Sequence, residues 1–280
     1  MSVSRDLALA LQYALPHRFL SWIVRGATRW RFAPFKNLLI RQIVRRYQVN
    51  MGEAEVSNIE DYEHFDAFFT RALKPGARQF DAPAAALISP CDGAISEIGK
   101  LDADRILQAK GMSYRLSDLL VDTAAAKALE GGQFATLYLS PRDYHRMHMP
   151  FAGRLHSAIH VPGRLFSVAP FAVEGIPGLF ARNERLVCLL DTEYGPAALV
   201  MVGALLVSGM ETPWGGWFVP PYGNSIQRRS YDPAVELKRG EEFGRFHMGS
   251  TIIVITPPGA PKWLPEWVAG NAIQVGNRLA

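Results

Sequence analysis

Hydrophobic and polar positions follow a helical pattern over the first fifty residues. Residues 7–15 are almost all apolar up to Pro16, and a second apolar and aromatic run occupies 19–24. After Pro34, apolar side chains at 35–47 recur at helical spacing with basic residues between them. The pattern predicts three amphipathic helices, with prolines marking the breaks between them.

A fourth helix is predicted at residues 59–74. Its aromatic residues Phe65, Phe68 and Phe69 are spaced to face inward on one side. Pro75-Gly76 then supplies a strong stop signal.

From about residue 86 onward the pattern changes to short apolar runs separated by turns. Strands are predicted at 134–139, 186–190, 198–207 and 252–255. The turn signals are Asp92-Gly93, Pro162-Gly163, Tyr194-Gly195-Pro196 and Trp214-Gly215-Gly216. Strands and helices do not alternate regularly, which argues against a doubly wound parallel sheet. We therefore expect an α+β fold, with N-terminal amphipathic helices followed by a mostly antiparallel, sandwich- or barrel-like catalytic body.

Charge is distributed unevenly along the chain. Residues 1–50 contain nine Lys or Arg and one acidic residue, whereas the rest contains 21 basic and 25 acidic residues. These basic residues alternate with bulky apolar ones instead of forming a polar face, so we expect no nucleic-acid binding. Arginines bordering apolar stripes, together with Trp22 and Trp30, favour helices lying on an anionic membrane surface. The alternative is a helical cap packed on the core with its arginines in water.

Length and cysteine content limit the class of protein. The chain has 280 residues, of which 49% are hydrophobic and 20% charged, as expected of a globular protein. Cys91 and Cys188 provide neither a disulfide framework nor a cysteine-based zinc site, and they indicate a reducing compartment. We expect neither export nor a membrane-spanning helix, because a secretory signal and an apolar stretch of about 18 residues are both missing.

The dipeptide Gly249-Ser250 directly precedes the apolar run 252–255. A serine at the start of a strand, after the one residue whose backbone bends freely, is able to attack its own peptide bond. The products would be two chains and a pyruvoyl group, a carbonyl electron sink made from the protein itself. The simpler interpretation is a Gly-Ser turn before a strand.

Three other polar residues are candidates for chemistry. Asp92 lies in a turn, and His145 and His148 lie three residues apart in one segment. A carboxylate, an imidazole and a serine are the parts of an activated hydroxyl, in which the acid orients the histidine and the histidine takes the serine proton. The His-x-x-His spacing also fits half of a metal site, and each residue taken singly is compatible with a structural role.

These segments, taken together and in order, resemble the bacterial phosphatidylserine decarboxylase proenzymes. The matching blocks are FFTRALKP at 68–75, SPCDG at 89–93, YHRMH at 144–148, PGRLFSV at 162–168, LFARNER at 179–185 and GRFHMGST at 244–251. The chain departs from the family's usual Leu-Gly-Ser-Thr cleavage motif in having Met248 in place of leucine. This exchange conserves volume and apolar character, so we expect processing to be retained.

The resemblance implies an activity and a role for each candidate residue. Cleavage between Gly249 and Ser250 would give a β chain of residues 1–249 and an α chain of residues 250–280, with Ser250 converted to the covalent pyruvoyl cofactor. His148 would act as the base for Ser250 and Asp92 as its orienter, with no metal involved. Phosphatidylserine would form a Schiff base with the pyruvoyl group, and His145 would protonate the carbanion to give phosphatidylethanolamine.

The same resemblance implies where the protein acts. Residues 1–58 would form a membrane-associating helical region and residues 59–280 the catalytic domain. We expect a homodimer on the cytoplasmic side of the cell membrane, held peripherally at an anionic surface. Two alternatives remain open. One is a metal-dependent hydrolase that uses Asp92, His145 and His148, and the other is a non-catalytic lipid-binding protein; both predict an uncleaved chain.

Overall fold

The computed structural model describes residues 2–80, 83, 85–207, 209–220 and 223–280, with the backbone alone for 2–4. The described helices are α1 (Ser2–Ala14), α2 (His17–Thr28), α3 (Ala33–Tyr47), α4 (Phe65–Phe69), α5 (Leu116–Leu120), α6 (Thr123–Ala128), α7 (Pro170–Val173) and α8 (Leu179–Arg182), with a 3-10 turn at Ile59–Asp61. The strands are β1 (Gly93–Lys100), β2 (Arg105–Ala109), β3 (Met112–Arg115), β4 (Gln133–Leu139), β5 (Arg146–His148), β6 (Gly153–Val161), β7 (Arg185–Thr192), β8 (Gly195–Gly203), β9 (Gly209–Thr212), β10 (Gly216–Val219), β11 (Gln227–Leu237), β12 (Glu242–His247), β13 (Ser250–Thr256) and β14 (Ala272–Ile273).

Two antiparallel sheets form the body of the protein. The large sheet has the strand order β11-β6-β7-β8-β13-β4-β1-β14, and the small sheet has the order β10-β9-β12-β5. One apolar core lies between the sheets and includes residues from both, such as Ile252 of β13 and Phe246 of β12. A second core lies between the large sheet and the short helices α5–α8. The body is therefore a sandwich with a helical layer, and its large sheet does not close into a barrel.

The structure confirms the α+β prediction and most of the predicted elements. Helices α1, α2 and α3 occupy the three predicted N-terminal segments, and Pro16 immediately precedes α2. Strands β4, β7 and β13 contain the runs predicted at 134–139, 186–190 and 252–255. Strands β4, β7 and β13 were identified because each buries one or both faces against the two cores, and helices α1–α3 because their apolar residues recur at helical spacing.

Helix α4 is much shorter than the predicted helix at 59–74. Its three phenylalanines are buried as predicted, and the His64 side chain caps its N-terminus by accepting from the Ala67 amide at 2.9 Å. The helix ends at Phe69 because the next residues are drawn into the body. Arg71 is buried against the segment that follows β4, and the chain then pairs back in an isolated bridge. These tertiary contacts override the local helical pattern.

The strand predicted at 198–207 also ends early. β8 stops at Gly203, whose amide donates to the Glu184 carbonyl at 2.8 Å, and residues 204–207 form a turn closed by the Val207 amide. The chain crosses here from the large sheet toward β9 of the small sheet. The residues on both sides of the crossover are apolar and buried, so hydrophobicity gave no sign of the boundary.

Helix α2 packs on the body with its polar side inward. His17, Ser21 and Thr28 are buried, whereas Phe19 and Trp22 are 58% and 64% exposed. Helix α3 instead turns apolar side chains toward the body, because Ile40 is fully buried in a cluster with the α4 phenylalanines. Within the described residues, no helix is both long enough and apolar enough to cross a bilayer.

Candidate active site

Ser250 lies in a row of residues at one end of the large sheet. It is the first residue of β13, and it pairs with Leu139 of β4 on one side and Gly203 of β8 on the other. The register of β1 with β4 continues the row and places Gly93 beside Leu139. Because neighbouring strands are about 4.8 Å apart, the backbones of Gly93 and Ser250 are roughly 10 Å apart. Asp92, the loop after β4 and the Gly249-Ser250 bond therefore meet at one end of the sheet.

The Ser250 side chain points into the core between the two sheets. It shares a strand face with Ile252 and Val254, which belong to that core. Ser250 has no exposed surface, and its Oγ has no hydrogen-bond partner among the described residues. A buried hydroxyl left unpaired costs about 1–3 kcal/mol. Other hydroxyls of the described residues, such as those of Thr251 and Thr256, are also buried and unpaired, so Ser250 is distinguished by its position directly after Gly249.

The backbone is strained on the N-terminal side of Ser250. Met248 has φ 77° and Gly249 has φ 27°, so both lie in the left-handed region. A Cβ added at Gly249 would contact nothing within 4 Å, which means that backbone conformation and not space favours glycine there. Glycine adopts a positive φ freely, so the stored strain lies at Met248, the residue that precedes the candidate cleavage pair Gly249-Ser250.

Asp92 is held in a buried ion pair at the start of β1. Its carboxylate accepts from Arg78 Nε at 2.9 Å, from Arg78 Nη2 in a short contact, and from the Val275 amide at 2.9 Å. Arg78 also donates from Nη1 to Glu53 at 2.9 Å, and these two carboxylates raise the pKa of Arg78 despite its burial. Asp92-Gly93 is therefore not a plain turn. Gly93 enters the sheet so close to β4 that a Cβ would collide with the Tyr138 carbonyl.

His148 is fixed by hydrogen bonds to both ring nitrogens. Its Nδ1 donates to the Gly240 carbonyl at 2.8 Å, so Nε2 carries the lone pair and accepts from the Tyr144 hydroxyl at 3.2 Å. The His148 amide donates to the Pro90 carbonyl at 2.7 Å, which ties β5 to the Asp92 loop. Burial lowers the pKa of His148, and the charges of Glu242 and Asp92 oppose that shift.

His145 is completely buried, with one ring nitrogen unpaired. Its Nδ1 donates to the Asp143 carbonyl at 2.9 Å, and its Nε2 has no partner among the described residues. The ring centroid lies 4.0 Å from that of Phe69. Burial and the positive charge of Arg71 together lower the pKa of His145 to about 3, against the opposing effect of the hydrogen bond to the Asp143 carbonyl. His145 is therefore neutral near pH 7 and presents a lone pair at Nε2.

The fold gathers the four predicted residues at one end of the sandwich but does not bond them to one another. No hydrogen bond between described residues joins Ser250 Oγ to Asp92, His145 or His148, and none joins Asp92 to either imidazole. The acceptor that orients His148 in this structure is the Gly240 carbonyl.

Sequence reasoning did not single out four residues that shape this region: Arg71, Arg78, Tyr144 and His247. Three of them lie within blocks that carry the family resemblance: Arg71 in 68–75, Tyr144 in 144–148 and His247 in 244–251. Their position in these blocks was the only indication in the sequence that the three residues belong to the site. Arg78 lies outside them, and only its contact with Asp92 reveals it.

His247 anchors the strand that leads to the candidate cleavage point. Its Nδ1 lies 2.9 Å from the Asp66 carboxylate on α4, and its Nε2 lies 3.2 Å from Glu211 on β9. The ring stacks on Trp217 with a centroid distance of 4.3 Å. Asp66 also accepts from Arg29, which follows α2, so the N-terminal helices are connected to β12 through one buried carboxylate.

The candidate residues do not form a metal site. In the described part of the chain, no three His, Cys, Asp or Glu side chains are grouped in a way that could hold an ion. The metal-dependent hydrolase thus finds no support in the arrangement of Asp92, His145 and His148.

Comparison with known families matches most of the chain to one family. A family model described as phosphatidylserine decarboxylase matches residues 65–280, and a second model, described as PSD, matches residues 7–48. The chain belongs to the phosphatidylserine decarboxylase family. Membership places it among carboxy-lyases that are made as self-processing proenzymes.

Relatives from several bacteria match almost the whole chain. A phosphatidylserine decarboxylase proenzyme of Stenotrophomonas maltophilia is 50% identical over 276 residues, which cover 98% of this chain and 99% of the relative. Proenzymes of the same description from Xanthomonas euvesicatoria and Pseudomonas putida are 50% and 48% identical, with 98% of this chain covered in both and 99% and 97% of the relatives.

Proposed function

We propose that this chain is a proenzyme that cleaves itself between Gly249 and Ser250 and then decarboxylates phosphatidylserine to phosphatidylethanolamine. The observation that carries the proposal is the buried, unpartnered Ser250 hydroxyl directly after two residues with positive φ. In a family of decarboxylase proenzymes, such a serine fits the source of a pyruvoyl group.

Self-cleavage uses atoms that are already adjacent in the chain. Ser250 Oγ adds to the Gly249 carbonyl carbon, the peptide C–N bond breaks, and the serine nitrogen takes up a proton, which leaves an ester. Loss of the Ser250 Cα proton then breaks the Cβ–Oγ bond and expels Gly249 as a carboxylate. Water adds to the remaining dehydroalanine as its imine tautomer and ammonia leaves, so position 250 ends as a ketone.

His148 is the proposed base for Ser250. Its Nδ1 is held by Gly240, which leaves Nε2 as the basic position, and that nitrogen has to exchange the Tyr144 hydroxyl for Ser250 Oγ before the proton moves. Asp92 acts on His148 through its negative charge, which raises the basicity of the imidazole. Its hydrogen bond to the Val275 amide also links the β-chain part of the site to the α-chain part.

The two chains stay together after cleavage because the new α chain begins with the central strand β13. This strand pairs along its length with β4 and β8, and its residues are buried. The α chain also supplies β14, which pairs with β1. Separating the chains would expose the cores on both faces of the large sheet, so cleavage changes the covalent structure and not the fold.

Turnover requires a ketone, a proton donor and a dry site. The pyruvoyl group supplies an electron sink for the electrons released with carbon dioxide. His145 is the proposed proton donor, and it has to gain a proton at Nε2 before it can give one. Burial and Arg71 both lower the pKa of His145 in the uncleaved chain, so an anionic substrate beside Arg71 counteracts the second effect.

A denaturing gel combined with intact-mass measurement and carbon dioxide release tests this function. Cleavage gives fragments of 249 and 31 residues by position, and the purified protein releases carbon dioxide from phosphatidylserine. An intact chain that binds phosphatidylserine without turnover would favour the non-catalytic lipid-binding alternative.

Backbone strain at Met248 leads to a prediction about the cleavage rate. Met248→Gly relieves a left-handed conformation that costs about 1–2 kcal/mol for a residue with a side chain. If this strain lowers the barrier to the acyl shift, cleavage slows by roughly 5- to 30-fold. The rate is measured by following the two chains on a gel after synthesis. Met248→Leu keeps the strain and the packing and should be cleaved normally; equal rates for the Gly and Leu variants would show that strain plays no part.

The N-terminal helices are the proposed membrane-associating region within residues 1–58. Helices α1 and α2 turn apolar side chains outward, with Leu7, Phe19 and Trp22 each more than half exposed. Helix α3 instead packs its apolar side on the body, which leaves its arginines 41, 45 and 46 exposed at the edge. An outward apolar surface beside basic residues fits peripheral binding to an anionic leaflet, which we place on the cytoplasmic side. A homodimer is proposed from the family resemblance alone.

A double substitution tests the membrane surface. Phe19→Gln with Trp22→Gln should weaken sedimentation with phosphatidylserine vesicles at least tenfold, because each inserted aromatic side chain contributes about 1.5–3 kcal/mol. Activity on vesicles should fall more than activity on a short-chain soluble phosphatidylserine. Val268→Gln, which changes a side chain that is 54% exposed in the C-terminal segment, is the matched control. Unchanged vesicle binding with loss of a dimer on size exclusion would assign the surface to a second copy of the chain.

A further inference from the structure

Arg71 is a buried cation with unused hydrogen-bond donors. The residue is 5% exposed, and its Nη2 donates to the backbone carbonyls of Arg142 at 3.0 Å and Asp143 at 3.3 Å. Its Nε and Nη1 are buried and have no partner among the described residues. The guanidinium stays charged in proteins, so leaving its donors unpaired is more costly than leaving a neutral group unpaired.

Arg185 is a second buried arginine, and its hydrogen bonds provide a comparison for those of Arg71. Its Nε donates to the Leu119 carbonyl at 2.7 Å, its Nη1 to the Ala181 carbonyl at 2.6 Å and its Nη2 to the Asp118 carbonyl at 2.7 Å. All three nitrogens of that side chain have partners. The incomplete bonding of Arg71 is therefore a feature of its position and not of buried arginines in this fold.

The carboxylates around Arg71 are already engaged. Arg71 lines a polar cavity of about 170 Å³ together with Glu53, Asp92 and Asp143. Asp92 and Glu53 accept from Arg78, and Asp143 accepts from the amide and hydroxyl of Ser140 at 2.7 Å. No carboxylate among the described residues hydrogen-bonds to Arg71. The cavity therefore contains a cation that lacks a bonded counter-ion.

The cavity is directly connected to the candidate active site. The Asp143 carbonyl accepts from both Arg71 Nη2 and His145 Nδ1, so one backbone oxygen joins the two side chains. Tyr144, which donates to His148 Nε2, lines the same cavity. Arg71 is thus linked to His145 through one shared backbone oxygen, and the cavity that it lines also contains Tyr144, the hydrogen-bond partner of His148.

We propose that Arg71 binds the phosphodiester of the phospholipid substrate and thereby positions its head group beside His145; the proposal rests on the decarboxylase function proposed above. The substrate offers two anions, a carboxylate and a phosphodiester. A cation at the carboxylate would stabilise the ground state of a group that loses its charge in the reaction. The phosphodiester keeps its charge throughout, so binding it strengthens affinity without opposing decarboxylation.

The test compares Arg71→Gln and Arg71→Lys with the wild type and with Arg185→Lys as a buried-arginine control. Processing is checked first on a gel, and KM and kcat are then measured with dihexanoyl phosphatidylserine. Binding of dihexanoyl phosphatidylethanolamine, which has the phosphodiester but lacks the carboxylate, is measured by titration calorimetry. Arg71→Gln should weaken substrate and product by the same factor, about tenfold to a hundredfold. Arg71→Lys should recover part of the loss, while Arg185→Lys changes neither value more than about twofold.

Three other outcomes would overturn the assignment of Arg71 to the phosphodiester, and a fourth would overturn only the proposed function. A raised KM with unchanged binding of phosphatidylethanolamine would assign Arg71 to the carboxylate. Unchanged KM and unchanged product binding would make it a structural residue, as would failure of both Arg71 variants to fold or to be processed. Wild-type protein that binds phosphatidylethanolamine through Arg71 but releases no carbon dioxide from phosphatidylserine would refute the proposed function and leave the phosphodiester site standing.

Discussion

Ser250→Ala gives a single uncleaved chain of 280 residues with no decarboxylase activity. Alanine has no hydroxyl to add to the Gly249 carbonyl and no oxygen to leave in the elimination, so neither the chain break nor the ketone can form. Because the Ser250 hydroxyl makes no hydrogen bond to any residue that the structure describes, its removal leaves none of those residues' polar groups unsatisfied. We expect the melting temperature to stay within a few degrees of that of a slowly processed wild-type precursor. The measurements are a denaturing gel, intact mass and carbon dioxide release.

Ser250→Cys serves as the control for this experiment. A thiol at the same position keeps a nucleophile and a leaving group, so some cleavage should persist where alanine allows none. Normal two-chain processing of Ser250→Ala would refute both the proposed bond and the proposed cofactor.

His148→Ala and His145→Ala are expected to fail at different stages. Without His148 the Ser250 proton has no base, and general-base catalysis by a positioned side chain contributes about 10²–10⁴-fold, so the chain should remain almost uncleaved. Without His145 the chain should still mature at least in part, because the proposed proton transfer follows decarboxylation. Turnover by the matured variant should then fall by a similar factor. Cleavage on a gel is measured alongside carbon dioxide release.

His156→Ala is the control for loss of an imidazole, since His156 lies on β6 outside the region described for the site. It should be cleaved and active like the wild type. Exchanged phenotypes for His145 and His148, or a fully active His145→Ala enzyme, would contradict the assigned roles. Tyr144→Phe adds a finer check, because it frees His148 Nε2 from its hydrogen-bond partner and should not slow cleavage if that bond has to break first.

The elements that were predicted correctly from the sequence are those whose own side chains show a regular spacing of apolar residues. Strands β4, β7 and β13 bury whole faces, and helices α1–α3 carry apolar residues at helical spacing, so local periodicity was enough to find them. The predicted helix at 59–74 failed because the burial of Arg71 against residues 142 and 143 ends α4 at Phe69. The end of β8 was missed because a crossover between two sheets keeps apolar residues buried on both sides.

The sequence by itself determined which chemical groups are candidates for the site. The Gly249-Ser250 bond, the acid Asp92 and the pair His145 and His148 were identified from residue type, spacing and family resemblance. Serine hydroxyls, imidazoles and carboxylates have fixed chemistry wherever they occur. Charge is also a property of residue type, so the excess of basic residues in the N-terminal region was evident from the sequence alone.

Only the tertiary structure decided how these groups are arranged. Strand register, a long-range property, brings Asp92, the His145 segment and Ser250 to one end of the large sheet. Packing decides that α2 turns Trp22 outward, that Arg78 binds Asp92, and that two nitrogens of Arg71 have no partner in the described part of the chain. These outcomes depend on contacts between residues that are far apart in the chain. Such contacts set the hydrogen bonds and the pKa of a side chain, and the local sequence around that side chain does not reveal them.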